Sequence, residues 1–223
     1  MSRAVRKMFD GPAGLLEVLL DKPMVAPRGV AVIAHPHPKL GGTAEHKVPA
    51  ILATSLREQG WLAVRPSFRG TGNSEGVHDD GDGETDDLVQ IAVRFRSDYP
   101  DVPLALVGFS FGAYVQTRVA KRLASSGLPA HCLVLTGTGV GDTAGGRHYD
   151  PESVQRTTLI VHGEFDAHVP LQNVLAWSDS QALPVTVIPA ADHYFSRRLP
   201  LLSKVVCDFL AASTDGPRTP RQH

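Results

Sequence analysis

The chain has very little cysteine and almost no net charge. Its two cysteines among 223 residues, Cys132 and Cys207, cannot form the disulfide framework of a small secreted domain, and both lie in apolar patterns typical of core residues. They predict a reducing, cytoplasmic location. The 22 basic and 23 acidic residues give a formal net charge of −1, so no net field attracts nucleic acid or an anionic membrane. We therefore expect neither of these as a partner.

Long hydrophobic runs are also missing. Residues 1–10 contain basic side chains but lack the apolar segment of a secretory signal, and no stretch approaches the ~20 apolar residues that cross a bilayer. Residues 214–223 contain two prolines, one glycine and no apolar side chain, a composition typical of a disordered tail. Residues 1–213 are expected to form a single globular domain.

What the chain does contain is a regular alternation of strand-like and helix-like segments. Two β-like runs, 4–9 and 15–21, flank a turn-rich pentapeptide and predict an antiparallel hairpin. Amphipathic stretches over 48–56 and 84–97 and a closing segment over 195–210 predict helices. Six further strand candidates, mostly continuous apolar runs, lie at 29–34, 61–66, 104–107, 132–136, 158–162 and 185–188. This order predicts the α/β class, with a doubly wound, mostly parallel sheet and helices on both faces.

One strand candidate ends in the sequence Gly108-x-Ser110-x-Gly112 and passes directly into a helical pattern. This spacing is typical of a serine nucleophile on a sharp strand-to-helix turn, where glycines two residues before and after leave room for the backbone. The N–H groups at the start of the helix would favour the negative charge that forms when the serine oxygen attacks a carbonyl. The alternative interpretation is that Ser110 only caps the helix.

A serine hydroxyl needs a base to take its proton, and the base needs an acidic partner that orients it. Asp166 and His193 each follow a later strand candidate, so the chain order is serine, acid, histidine. Ligands of a doubly wound sheet bind beyond the carboxyl ends of the strands, and we expect these side chains to meet there. Glu164 and Asp192 are rival candidates for the acid.

Three motifs together resemble those of the α/β-hydrolase superfamily: Gly-Phe-Ser110-Phe-Gly, His-Gly-Glu-Phe-Asp166 and Ala-Asp-His193-Tyr-Phe. The segments His-Pro-His37-Pro and Phe-Arg69-Gly are similar to those of a small, lidless bacterial branch of serine hydrolases near the dienelactone hydrolases. The resemblance implies the fold, a catalytic triad of Ser110, Asp166 and His193, and hydrolysis of carboxylic ester bonds through an acyl-enzyme. It favours Asp166 as the acid, because the acid loop of the family has this form. Dienelactone hydrolases carry cysteine at the position of Ser110, so their substrates are not carried over.

The resemblance also implies two backbone donors for an oxyanion. Members of the superfamily often use an N–H shortly after the strand at 29–34, where this chain has His35-Pro36-His37-Pro38. Because proline has no N–H, only His37 among residues 36–38 can donate from the backbone. We expect the N–H groups of His37 and Phe111 to form the oxyanion hole, and the side chain of His35 to pack under the sheet edge.

The acidic run 79–87 is expected to have a structural role. It lacks the glycine and glutamate that a calcium loop needs at its sixth and twelfth positions, so it predicts a turn followed by the start of a helix. Arg69, in the Phe-Arg-Gly motif, is expected to be a structural tie near the site, with recognition of an anionic substrate as the minor alternative.

We expect no cofactor and no metal. The motif Gly139-x-Gly141-x-x-Ala144 resembles a dinucleotide fingerprint but is not followed by an amphipathic helix. The three histidines His35, His37 and His46 have no carboxylate or cysteine at a ligand spacing.

Together these features predict a serine hydrolase whose partner is a small-molecule acyl ester or thioester. An acyl-CoA thioesterase or an acyltransferase would use the same residues, and a non-catalytic ligand-binding protein that keeps the fold is the alternative outside the enzymes. Residues 138–155 are the only sizeable insertion near the site and are too short for a helical lid domain, so long-chain lipase activity is not expected. The oligomeric state stays open.

Overall fold

The computed structural model describes residues 4–214. The tail predicted at residues 214–223 lies outside the described residues apart from Thr214, which is the last residue of the final helix.

A mixed sheet of eight strands forms the centre of the described chain, and two further strands form a separate ribbon. In chain order the strands are β1 (Val5–Gly11), β2 (Gly14–Asp21), β3 (Gly29–Ala34), β4 (Trp61–Pro66), β5 (Leu104–Phe109), β6 (Cys132–Thr136), β7 (Gly141–Thr143), β8 (Arg147–Tyr149), β9 (Thr158–Gly163) and β10 (Val185–Ile188). The order in the sheet is β1-β2-β4-β3-β5-β6-β9-β10. The first two strands form the expected antiparallel hairpin, β2 runs antiparallel to β4, and all other neighbours are parallel.

Helices cover both faces of this sheet, which confirms the doubly wound architecture predicted from the alternation. They are α1 (Lys47–Glu58), α2 (Asp82–Asp98), α3 (Phe111–Ser125), α4 (Leu171–Asp179) and α5 (Leu199–Thr214), with a short 3-10 helix at Pro38–Leu40.

The continuous apolar runs of the inner strands follow from this two-sided cover. On β3, Val30 and Val32 belong to the core cluster that includes α2 and α3. Ala31 and Ile33 belong to the cluster that includes α1 and α5. Because successive side chains of a strand point to opposite faces, every residue of β3 is buried and the strand shows no polar alternation.

The closing helix begins later than its apolar spacing predicts. Phe195 lies in a turn with a φ of 51°, and α5 starts only at Leu199. The Phe195 side chain is fully buried beside Phe109, with ring centroids 6.4 Å apart. Phe195 therefore packs in the same core as the apolar side chains of α5, although it lies before the helix. Its apolar spacing continues that of the helix, so periodicity alone predicted a helix that includes it.

The acidic run does form a turn and a helix start. Glu84 is buried, and its carboxylate accepts hydrogen bonds from the N–H groups of Asp79 and Gly81 at 3.0 and 2.9 Å. At the end of the run, Asp87 accepts two hydrogen bonds from Arg69, at 2.7 and 2.8 Å. Arg69 therefore ties the loop after β4 to α2.

The insertion after β6 forms the ribbon β7–β8 and contains no helix within the described residues 137–157. This agrees with the expectation that it is too short for a helical lid. In the described part of the chain, no helix has both the length and the apolar composition that are needed to span a bilayer.

The ion pair between Arg69 and Asp87 is largely buried, with side chains 11% and 2% exposed. Replacing one partner of a buried pair leaves an uncompensated charge, so we expect Asp87→Asn to lower the free energy of unfolding by about 3 kcal/mol. Its neighbour Asp86 pairs with Arg122 at the surface, where the side chains are 46% and 48% exposed. Asp86→Asn should cost less than about 1 kcal/mol. Urea unfolding of both variants checks this, and equal losses would contradict it.

Candidate active site

Ser110 occupies the turn between β5 and α3, with backbone angles φ 57° and ψ −121°. A positive φ is unfavourable for a residue with a Cβ, so the surroundings have to hold this turn. A Cβ on Gly108 would lie 2.4 Å from the Cα of Ala113, and one on Gly112 would lie 2.5 Å from the carbonyl oxygen of His35. The two glycines therefore let α3 begin directly after the serine and pack closely on the strand ends.

The side chains of Ser110, His193 and Asp166 form a continuous hydrogen-bonded array. His193 Nε2 lies 2.9 Å from Ser110 Oγ, and His193 Nδ1 lies 2.7 Å from Asp166 Oδ2. The Ser110 side chain makes no capping hydrogen bond to α3, so the interpretation of this serine as a helix cap is wrong. Nδ1–H donates to the carboxylate, which leaves Nε2 available to accept the serine proton.

The carboxylate of Asp166 is buried and has hydrogen-bond donors at both oxygens. Oδ1 accepts from the backbone N–H groups of His168 and Val169, both at 2.8 Å, and Oδ2 accepts from His193. Burial acts to raise the pKa of Asp166, but the hydrogen bond and charge of His193 and the N–H of Val169 outweigh it and hold the pKa below its usual value. This carboxyl group therefore stays ionised beside the imidazole.

The two rival acids contact other groups. Glu164 Oε2 accepts from the N–H of Ala190 at 2.8 Å, and Asp192 Oδ1 accepts from the N–H of Ser196 at 2.8 Å. Both carboxylates stabilise loop backbone, and Asp166 is the acid that contacts His193.

A second histidine contacts Asp166 from the side away from the cavity. The Nε2 atom of His162 lies 3.0 Å from the carbonyl oxygen of Val169 and 3.3 Å from Asp166 Oδ2. The side chain is completely buried, and burial lowers its pKa, so the ring is neutral with its proton on Nε2. The contact with Asp166 comes from the turn that follows β9.

The expected oxyanion donors are the first residue of α3, Phe111, and a residue of the loop after β3, His37. Neither the N–H of His37 nor that of Phe111 has a hydrogen-bond partner among residues 4–214. The loop before His37 is held by the buried side chain of His35, whose Nδ1–H donates to the carbonyl of Pro36 at 2.7 Å and whose Nε2 accepts from the N–H of Phe68 at 2.9 Å. Burial lowers the pKa of His35 to about 3, which keeps this link neutral.

The loops also bring together three groups of a type that can ligate metals. Ligand atoms of His37, His78 and Asp80 lie within 4.8 Å of one another, a combination that local sequence spacing missed because the residues come from separate loops. His78 Nδ1 lies 2.7 Å from Glu84 Oε1, and its Nε2 lies 3.0 Å from Asp80 Oδ1. His37 Nδ1 accepts from the N–H of Lys39 at 3.2 Å.

A cavity of about 270 Å³ opens above Ser110 and His193. It is at the small end of ligand sites, which usually measure about 300–1,000 Å³. Its walls come from the loop after β3, the start of α1, the ribbon β7–β8 and the loops that carry His168 and Tyr194. The ribbon and Lys47 were not recognised from the sequence, because no local motif marks them.

A family model described as the alpha/beta hydrolase fold matches residues 40–195. The chain belongs to the α/β hydrolase fold family. The family resemblance predicted from the motifs is confirmed.

Several solved structures share this fold, and one of them is described as lacking a lid. An α/β serine hydrolase without a lid from Xanthomonas campestris is 31% identical, with a TM-score of 0.80 over 95% of each chain. A serine hydrolase homologue from Coxiella burnetii is 30% identical, with a TM-score of 0.79 over 94% of this chain and 99% of the other. A dienelactone hydrolase from Anabaena variabilis shares the fold at 15% identity, with a TM-score of 0.69 over 94% of this chain and 98% of the other.

An uncharacterized protein of Rickettsia prowazekii is 32% identical over 115 residues. These residues are 51% of this chain and 48% of that protein, so the chain spans about half the length of this curated relative.

The packing of the Ser110 turn predicts the effect of adding one methyl group. Gly112→Ala should lower the free energy of unfolding by about 3 kcal/mol, because its Cβ overlaps backbone carbonyls that cannot move away. Gly127, just beyond the other end of α3, has a φ of +72°, and a Cβ added there would meet no atom within 4 Å. Gly127→Ala should cost only about 1 kcal/mol, for its left-handed backbone. Urea unfolding measures both, and a Gly112→Ala variant as stable as Gly127→Ala would contradict the packing argument.

Proposed function

We propose that this chain is a serine hydrolase that cleaves small carboxylic esters or thioesters through an acyl-enzyme on Ser110. The observation that carries the proposal is the hydrogen-bonded array in which His193 lies 2.9 Å from Ser110 Oγ and 2.7 Å from Asp166. A serine whose proton can pass to an oriented imidazole is the arrangement that acyl transfer needs.

In the first half of the reaction, Ser110 Oγ forms a bond to the substrate carbonyl carbon while its proton moves to His193 Nε2. The carbonyl π electrons move onto the oxygen, and the N–H groups of His37 and Phe111 donate to this oxyanion. Asp166 stabilises the imidazolium that forms. The bond to the alcohol or thiol then breaks, and that leaving group takes the proton from His193.

In the second half, water attacks the acyl-enzyme. His193 accepts a proton from the water, a second oxyanion forms at the same two N–H groups, and the bond to Ser110 Oγ breaks as His193 returns a proton to it. The products are a carboxylic acid and the regenerated serine.

The small, open cavity supports short acyl groups over long lipid chains. Its volume of about 270 Å³ leaves little room for an extended aliphatic chain, and the ribbon that borders it contains no helix to cover one.

The strained turn argues against a protein that only binds ligands. Holding Ser110 at a φ of 57° costs about 1–3 kcal/mol, and a binding protein has no use for such strain. An acyltransferase or acyl-CoA thioesterase would keep the same residues, and the cavity favours neither over ester hydrolysis. We also propose a cytoplasmic location, which the two free thiols support, since Cys132 is buried and Cys207 half-buried.

A fluorophosphonate probe tests the nucleophile and its acid. The wild type should be labelled at Ser110, and Ser110→Ala should not be labelled. Asp166→Asn should react about 10⁴-fold more slowly, because the imidazole loses the partner that sets its tautomer. The neighbouring acid offers a matched control, and Asp192→Asn should react like the wild type. A folded wild type that fails to react, or labelling that persists in Ser110→Ala, would sink the proposal.

His162 is expected to position Asp166 through Val169, whose carbonyl accepts from the His162 Nε2–H and whose own N–H donates to Asp166. His162→Leu removes this donor and should lower kcat by about 3- to 10-fold with KM unchanged, the scale of one hydrogen bond. His162→Gln places an N–H near the same point and should restore most of the loss. Ester hydrolysis and thermal unfolding are measured together for both variants. A purely structural histidine would lower Tm and leave kcat per folded molecule unchanged.

A further inference from the structure

The ribbon β7–β8 presents one of its faces to the cavity. Its register pairs Thr143 with Arg147 and Asp142 with His148. Directly paired residues of an antiparallel ribbon share a face, and successive residues alternate between faces. Thr143, Arg147 and Tyr149 accordingly line the cavity with Ser110. Asp142 and His148 lie on the outer face, 2.8 Å apart, with side chains 94% and 66% exposed.

The guanidinium of Arg147 makes no ion pair or hydrogen bond with any residue in the described range 4–214, although the residue is half-buried. Other arginines of the chain are neutralised, such as Arg65 by Asp21 at 2.8 Å and Arg69 by Asp87 at 2.7 Å. A half-buried guanidinium with five donors and no acceptor is unusual, because arginine in such settings normally binds a carboxylate or a phosphate.

The rest of the cavity lining adds to this positive charge. Lys47, at the start of α1, also lines the cavity, and its Nζ is 5.1 Å from the centroid of Tyr194 and 3.1 Å from Ser196 Oγ. Among the described residues that line the cavity, there is no aspartate or glutamate. Burial, with smaller contributions from the charges of His78 and Arg147, lowers the pKa of His37 to about 4. The field of Arg147 therefore reaches the loop that carries the expected oxyanion donor.

From this arrangement we propose that Arg147 is a binding site for an anionic group of the substrate. On the proposed function, the preferred substrate is then an ester or thioester with a carboxylate or phosphate near the scissile carbonyl. A planar guanidinium can bind two oxygens of either anion at once. Arg147 and Ser110 line the same cavity of about 270 Å³. The anion and the reacting carbonyl therefore belong to one small ligand, or to the part of a larger ligand that enters the cavity.

Two substrate pairs separate the two sources of negative charge. The first compares mono-4-nitrophenyl glutarate with 4-nitrophenyl valerate, which has the same chain length and no carboxylate. The second compares the butyryl thioester of 2-mercaptoethyl phosphate with S-ethyl thiobutyrate, which lacks the phosphate. The wild type should prefer the charged member of at least one pair. Arg147→Gln should lower kcat/KM for that member by about 10- to 100-fold, mainly through KM, and leave its neutral partner unchanged.

His148→Gln is the matched control, because it alters the adjacent residue on the outer face of the same ribbon. It should leave both members of each pair unchanged. The neutral substrates report correct folding of Arg147→Gln. A loss confined to the glutarate pair assigns the site to a carboxylate, and one confined to the thioester pair assigns it to a phosphate. Equal rates for charged and neutral substrates, or equal losses on both in Arg147→Gln, would overturn the anion site and leave the hydrolase proposal standing.

A binding measurement keeps the two proposals separable if no ester is cleaved. Calorimetric titration of the wild type with monomethyl glutarate should give saturable binding that is at least tenfold weaker in Arg147→Gln. That result without turnover would retain the anion site and reject the hydrolase. No saturable binding of monomethyl glutarate or of ethyl phosphate by the wild type would reject the anion site.

Discussion

Ser110 has a left-handed backbone conformation at the end of β5, which costs about 1–3 kcal/mol for a residue with a side chain. Packing around Gly108 and Gly112 provides the compensation, because their missing Cβ atoms let α3 approach β5 and the end of β3. The same close approach sets the relation between two loops. The N–H of Phe111 begins α3, and the segment leading to His37 leaves β3 beside Gly112. One strained residue thus places the Ser110 hydroxyl at the start of α3, where the helix packs on the end of β3.

Asp166 is held in a different way, by hydrogen-bond donors to both of its carboxylate oxygens. The two oxygens of Asp166 accept from the turn backbone and from His193, and His162 lies 3.3 Å from Oδ2. A buried carboxylate without these donors would raise its pKa and lose its charge. The donors come from the turn after β9 and from the loop after β10, so the ends of two neighbouring strands keep this group ionised. The ionised Asp166 in turn fixes the tautomer of His193 that has its proton on Nδ1.

Local patterns predicted much of this architecture. The apolar runs, the two hairpin strands and the glycines around Ser110 have causes within a few residues, so they were visible in the sequence. The start of α5 was misplaced because Phe195 fills the core from a turn. The contact of His162 with Asp166 depends on the shape of the turn after β9, and the approach of His37 to His78 depends on loops that only the folded sheet brings together. Arg147 carries no motif at all, and its position follows from the register of a three-residue ribbon.

The net charge of the chain gave no indication of the charge that lines the cavity. A formal charge of −1 averages over a chain whose acidic and basic groups are unequally distributed. Glu17, Asp21, Glu84 and Asp87 are buried in the body of the protein, where they pair with arginines or accept from backbone N–H groups. The cavity lining has no carboxylate of its own within the described chain but includes Arg147 and Lys47. An open cavity encloses its ligand incompletely, so shape contributes less to selection there and complementary charge contributes more. A nearly neutral chain can therefore hold a site of one sign, because its carboxylates are used elsewhere for stability.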